Sequence, residues 1–65
     1  MELTVNGDDR EVPEGTSAVA LLELLGLPDK GVAIAVNGAV HPRSGWDEAL
    51  PAYADVEVLT AVQGG

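Results

Sequence analysis

The sequence predicts an α+β domain, a mixed β-sheet with one helix packed on one face. Three observations lead there. Hydrophobicity alternates near both ends of the chain. One segment between them carries helical start, stop and periodicity together. An Asn37-Gly38 pair sits between two short β-prone runs. At 65 residues and 6.7 kDa, residues 1–65 are expected to form one domain. A chain this short buries only ~60% of its unfolded surface, so its stability is marginal.

Met1–Asn6 places Leu3 and Val5 on one face and Glu2 and Thr4 on the other, as in a half-buried strand. Gly7-Asp8-Asp9 supplies turn residues, and Arg10-Glu11-Val12 reads as a returning strand that Pro13-Glu14-Gly15 stops. A helix follows. Ser17, or Thr16, is placed to cap it by accepting a hydrogen bond from an unpaired backbone N–H. Ala18, Leu21, Leu22 and Leu25 recur at i, i+3, i+4 and i+7 and share one face, with Glu23 off the stripe. Gly26 stands where a left-handed terminal residue is wanted, and Pro28 follows. So short a helix is not stable alone, so it must lie on the sheet. Its stripe is expected to pack against Val5, Ile34 or Val36, and Val58.

Val32–Val36 is a run of β-branched residues and alanine. Asn37-Gly38 is a strong two-residue hairpin signal, because both turn positions need positive φ. Ala39–His41 returns as the partner strand and Pro42 ends it. Ser44–Leu50 reads as a single helical turn carrying Trp46 and Leu50 inward. Asp55–Val62 is the last strand: Val56, Val58, Thr60 and Val62 share one face, and Glu57, Leu59 and Ala61 the other. The order strand, strand, helix, strand, strand, turn, strand resembles the β-grasp, or ubiquitin-like, topology. That resemblance implies a central last strand, from which the C-terminus leaves as a flexible tail.

Composition removes several function classes. There is no cysteine, so disulfides, zinc fingers and thiol nucleophiles are excluded, and one histidine leaves no soft-metal site. Eleven acidic residues face three basic ones, Arg10, Lys30 and Arg43, for a net charge of −8. Three scattered cations cannot neutralise a run of phosphates, so no nucleic acid is expected as a partner. Anionic membrane surfaces are disfavoured for the same reason. The apolar run Ala18–Leu22, which no other run exceeds, is far below the ~20 residues of a membrane span. With no leader visible, a cytoplasmic location is expected. An acidic domain suits partners with basic docking surfaces, although the same charge serves solubility alone.

The Gly64-Gly65 end is the most informative chemical feature. A carboxylate is a poor electrophile, and adenylation with ATP gives it a good leaving group. An activating enzyme must thread that end through a narrow channel, which residues without a Cβ pass most easily. Glycine is 8 of 65 residues, so such an end arises by chance in roughly one chain in 70. His41 reads as an exposed strand-end histidine. Ser17, Ser44 and His41 supply triad residue types with no strained nucleophile turn. Asp8-Asp9 and Asp47-Glu48 lack the ligand count of a calcium loop and read as solvated turn charges. No glycine-rich phosphate loop is present, so any ATP must sit on a partner. No catalytic residue, metal or cofactor is therefore expected on the chain itself.

These residues resemble the sulfur carrier proteins of thiamine biosynthesis, the ThiS type. The similarity runs over nearly the whole chain. It takes in Val5-Asn6-Gly7, Leu21-Leu22-Glu23-Leu24-Leu25-Gly26 and Val32-Ala33-Ile34-Ala35-Val36-Asn37-Gly38. It continues through Pro42-Arg43-Ser44-Gly45-Trp46 and Asp55-Val56-Glu57-Val58 to Gly64-Gly65. The Pro-Arg-x-x-Trp stretch and the Gly-Gly end are its most specific parts. One departure is Ala54, where the family commonly has Gly, which touches the turn before the last strand.

The resemblance implies that a ubiquitin-activating-like adenylyltransferase adenylates the Gly65 carboxylate, with Gly64 easing the threading. Sulfur from a donor such as a cysteine desulfurase then leaves a thiocarboxylate, and thiazole synthase takes that sulfur. The chain would be a co-substrate and not an enzyme. Three rivals stand beside it. The small subunit of molybdopterin synthase is usually longer and carries prolines before its tail, and Ala61-Val62-Gln63 has none. The others are an isopeptide-forming protein modifier and a ubiquitin-like interaction module without tail chemistry. Toward the adenylating enzyme, Glu57 and Leu59 are candidate docking residues, the first for steering and the second for contact area, with a core position as the alternative for Leu59.

Overall fold

The computed structural model describes residues 1–60 of the chain. Its elements are β1 (Glu2–Val5), β2 (Asp8–Glu11), α1 (Ala18–Leu25), β3 (Val32–Val36), β4 (Ala39–Val40), a 3₁₀ turn (Arg43–Gly45) and β5 (Asp55–Thr60). The strands form a single sheet in the order β2-β1-β5-β3-β4. β5 pairs parallel with β1 and antiparallel with β3, and both hairpins are antiparallel. This mixed sheet with α1 on one face is the β-grasp, ubiquitin-like α+β fold, with β5 at its centre as expected.

The first hairpin turns one step earlier than the composition suggested. Asn6 and Gly7 take φ of 51° and 86° and supply the two left-handed positions of a tight turn. Asp8 and Asp9 are therefore strand residues, paired with Val5 and Thr4. Val12 lies just past β2, buried, with its N–H donating to Met1 O at 2.8 Å. Asn37 and Gly38, at φ 52° and 83°, turn the second hairpin where expected. β4 stops at Val40, although the His41 N–H still donates to Ile34 O at 2.8 Å.

Ser17, not Thr16, caps α1: the Ala20 N–H donates to Ser17 Oγ at 3.1 Å. Thr16 is buried and donates its hydroxyl to Pro13 O at 2.6 Å, so it is already committed. Gly26 (φ 73°) ends the helix, with Gly26 N–H donating to Glu23 O and Leu27 N–H to Leu22 O. Ala18, Leu21 and Leu22 are buried and Leu25 is partly so. They join Leu3, Val5, Ile34, Val56 and Val58 in one core, with Val36 packed at its margin.

The expected helical turn at Ser44–Leu50 is instead a 3₁₀ turn at Arg43–Gly45, directly after Pro42. Proline sets the extended residue that precedes the turn, so the turn begins as soon as the ring ends. Trp46 and Leu50 are nonetheless buried, as expected. Trp46 Nε1–H donates to His41 O at 2.9 Å, and the Arg43 guanidinium lies 4.6 Å from the centre of the indole ring. Arg43 also donates to Asp29 O at 2.7 Å. The Pro-Arg-x-x-Trp stretch is thus a structural corner tying the β4 exit to the loop before β3.

Ala54 is buried to 1% exposure, and the left-handed residue of this turn is its neighbour Tyr53, at φ 62°. The departure from glycine at 54 therefore brings no strain, and the Ala54 methyl belongs to the core. Among the described residues no helix is long and apolar enough to cross a membrane.

Candidate functional site

β5 is the strand from which the chain runs on to Gly64 and Gly65. Those two glycines, with Ala61 and Val62 of the expected strand, lie outside the described residues. The site they would serve is therefore approached through β5 and the sheet face turned away from α1.

Registry defines that face. Directly paired residues share a side of the sheet, and successive residues alternate. Ala33 pairs with Leu59, and Ala35 pairs with both Glu57 and Val40. Thr4 pairs with Asp55 and Asp9, and Glu2 with Glu11. Leu3, Val5, Ile34, Val56 and Val58 alternate with these and fill the core, so all ten residues project outward. The outward face has two halves. Ala33, Ala35, Val40 and Leu59 form an apolar half over β3, β4 and the end of β5. Glu2, Asp9, Glu11, Asp55 and Glu57 form an acidic half over β1, β2 and the start of β5.

The exposure of the apolar half is unusual for its residue types: Val40 is 82% exposed and Leu59 62%. Leu59 is thus not core, and it stands two residues from Glu57 on the same strand face. Beside it a shallow hollow of about 350 Å³ is lined by Gly31, Val32, Ala33, Leu59 and Thr60. The hollow lies at the end of β5 nearest the tail. In the acidic half, the Met1 amino group holds Glu11 Oε2 at 3.0 Å. The other ion pair among the described residues, Arg43–Asp29, lies elsewhere, so Glu57 and Asp55 face solvent without a cationic partner there. The arrangement suits a partner that offers apolar side chains rimmed by Lys or Arg.

The remaining candidates do not converge. Ser17 Oγ is used in the helix cap. Ser44 is exposed in the 3₁₀ turn. His41 is a correction: it is half-buried, its ring lies against Gly45, and its Nε2 is buried without a hydrogen-bond partner. No sequence pattern announces this packing of the ring against position 45. Asp8 and Asp9 are neighbours on a strand, so their carboxylates point to opposite faces and cannot share an ion. Asp47 and Glu48 are exposed after the 3₁₀ turn. Among the described residues no group of three or more His, Asp or Glu is placed to hold a metal ion.

Sequence reasoning missed two residues. Asn6 and Asn37 read in the sequence as family motif and turn, yet both side chains hydrogen-bond the β5 backbone. The recurrence of Val-Asn-Gly at 5–7 and 36–38 was the available sign.

A family model described as the ThiS family matches residues 2–65. Two solved structures are similar over the full length of the chain, both of a thiamine biosynthesis protein from Geobacter metallireducens. The crystal structure, of the protein named ThiS, has 32% identity, a TM-score of 0.80 and coverage of 100% of both chains. The solution structure has 32% identity and a TM-score of 0.80, with 88% of that chain covered. No curated protein matches the chain.

Proposed function

The chain belongs to the ThiS family, and from that premise we propose that it is a sulfur carrier for thiamine thiazole synthesis. The observation that carries this reading is that the family match runs through Gly65. The central place of β5 supports it, since a strand held on both sides is a rigid base for a reactive end.

In this reading residues 1–65 act as one carrier domain whose only reacting group is the Gly65 carboxylate. A ubiquitin-activating-like adenylyltransferase binds Mg-ATP and draws Gly64-Gly65 into its channel. A carboxylate oxygen of Gly65 attacks the α-phosphate and pyrophosphate leaves. The acyl-adenylate then meets sulfur from a donor such as a cysteine desulfurase. The donor's terminal persulfide sulfur attacks the carbonyl and AMP departs; a thiol reductant then cleaves the resulting acyl disulfide, leaving the thiocarboxylate for thiazole synthase to consume. The carrier is a protein co-substrate and needs no acid, base or cofactor of its own. We assign this chemistry to the cytoplasm, where ATP is at hand. The outward face serves as the docking surface, with Leu59 giving contact area and Glu57 steering the encounter.

The test is ATP–pyrophosphate exchange with the cognate adenylyltransferase. One residue added after Gly65 displaces the carboxylate by up to ~3.5 Å, more than in-line attack tolerates. A one-residue extension, or removal of Gly65, is expected to abolish exchange with an unchanged circular dichroism spectrum. Gly65→Ala is expected to impair it less. Full exchange by the extended or truncated protein refutes the carrier reading. Higher-mass conjugates after incubation with the enzyme and ATP assign the chain to the protein modifiers instead.

A further inference from the structure

Val-Asn-Gly occurs at 5–7 and again at 36–38, and both copies form hairpin turns. Each asparagine has left-handed backbone, φ 51° at Asn6 and 52° at Asn37. Glycine satisfies that backbone equally well, so the turns alone do not require a carboxamide. The side chains have a second task, and in both cases it falls on β5. Asn37 Oδ1 accepts from the Asp55 N–H at 2.9 Å. Asn6 Oδ1 accepts from the Val58 N–H at 2.8 Å, and its Nδ2 donates to the Val58 carbonyl at 3.4 Å.

The ladder between β1 and β5 explains why Asn6 matters at that point. Thr4 N–H donates to Ala54 O, and Asn6 N–H to Val56 O, both at 2.9 Å. The next β5 groups facing β1 are the N–H and C=O of Val58. The β1 backbone cannot reach them, because the chain turns at Asn6-Gly7 into β2. A carboxamide carries one donor edge and one acceptor edge, as a peptide unit does. Asn6 thus stands in for the residue a longer β1 would have presented. It carries the pairing one step further toward Thr60, the last described residue of β5.

We propose that Asn6 is a positioning residue for the reactive C-terminus: by gripping β5 at Val58 it fixes the direction from which Gly65 is presented to the activating enzyme. This rests on the sulfur-carrier reading. Capture of the carboxylate in line with the α-phosphate depends on the angular spread of the strand that carries it. Without the grip, Val58–Thr60 separates from β1's side of the sheet more often. Fewer docked carriers then hold Gly65 in line, so kcat falls. Docking through the outward face is untouched, so KM for the carrier stays. Asn37 grips the opposite end of β5, away from the tail, and does not share this role.

The test compares wild type, Asn6→Gly, Asn6→Asp and Asn37→Gly. Glycine accepts the left-handed turn but removes the grip. Aspartate accepts that turn too and keeps an acceptor for the Val58 N–H, losing only the donor. Two readouts are needed: residue-resolved amide exchange, and ATP–pyrophosphate exchange over a range of carrier concentrations. In Asn6→Gly the Val58 amide is expected to exchange about tenfold faster, with amides of Leu3 and Leu21 little changed. Its kcat should fall several-fold at constant KM. Asn6→Asp should recover much of both, and so keeps the test decisive even where the glycine variant folds poorly. Asn37→Gly should speed exchange at Asp55 and leave kcat unchanged. A faster Val58 amide with wild-type kcat overturns the positioning role, and so does an equal loss of kcat in Asn37→Gly. Unchanged exchange at Val58 overturns the grip itself. Folded wild type that supports no pyrophosphate exchange overturns the carrier reading, and the positioning role with it, whatever the Val58 amides do.

Discussion

Leu22 and Leu24 stand two residues apart on α1 and test the packing of the helix against each other. Leu22 is 1% exposed, within the core formed with β1, β3 and β5, whereas Leu24 is 56% exposed. Leu22→Ala removes buried atoms from a site the surrounding sheet cannot close, which costs ~2–5 kcal/mol. For 65 residues the unfolding entropy is about 0.14 kcal/mol/K, so a loss near ~3 kcal/mol lowers Tm by about 20 °C. Total stability for a chain of this length is on the order of 3–10 kcal/mol, so that loss threatens folding at physiological temperature. Leu24→Ala loses little buried area and gains helix propensity, so its effect should stay within ~0.5 kcal/mol. Thermal melts followed by circular dichroism give Tm, and urea titrations give the free energy with m as a check on two-state unfolding. A Leu22→Ala shift of only a few degrees, or a Leu24→Ala shift as large, refutes the burial of the Leu21–Leu22 stripe as the main support of the fold.

Leu59→Asp should raise KM for the carrier at the adenylyltransferase at least tenfold with an unchanged Tm, and an unaltered KM removes Leu59 from the docking surface. Association with that enzyme should slow as salt rises, because Glu57, Asp55 and the other outward carboxylates attract basic groups through a screened field, and a salt-independent on-rate disposes of the steering. Ser17→Ala should cost ~1 kcal/mol through the lost cap on the Ala20 N–H, read as a Tm drop of several degrees. At Gly26 an added Cβ meets nothing within 4 Å, so Gly26→Ala should cost only the left-handed backbone, about 1–2 kcal/mol, and a greater loss means that the space there is needed.

Local chemistry announced the parts of this protein that depend on local chemistry. Ser17 and Gly26 mark the ends of α1 because cap residues act within one helical turn, and Asn37-Gly38 marks a hairpin because only such residues tolerate two left-handed positions. Alternation along 1–6 and 55–60 separated core from surface on β1 and β5, since a strand's two faces are a property of its own backbone. At the first turn Gly7-Asp8-Asp9 and Asn6-Gly7 are both good turn sequences, and pairing of Asp8 with Val5 chooses between them. The 3₁₀ turn lies earlier than the sequence suggests because Pro42 and the stacking of Arg43 on Trp46 compete with a weak helical preference further on.

By itself the sequence determined the element order, the aliphatic stripe of α1, the acidic character and the family likeness that ends in Gly-Gly. Tertiary structure alone decided what the sheet's far side looks like. The pairing of Ala35 with both Val40 and Glu57 joins three strands that are distant in sequence, and so divides the outward face into apolar and acidic halves. Tertiary structure also set His41 against Gly45 and carried the Asn6 carboxamide to Val58, 52 positions along the chain. A hydrogen bond across that separation follows from β1 and β5 lying side by side, and strand neighbours in a sheet are chosen by the packing of the whole core, not by the residues that end up touching.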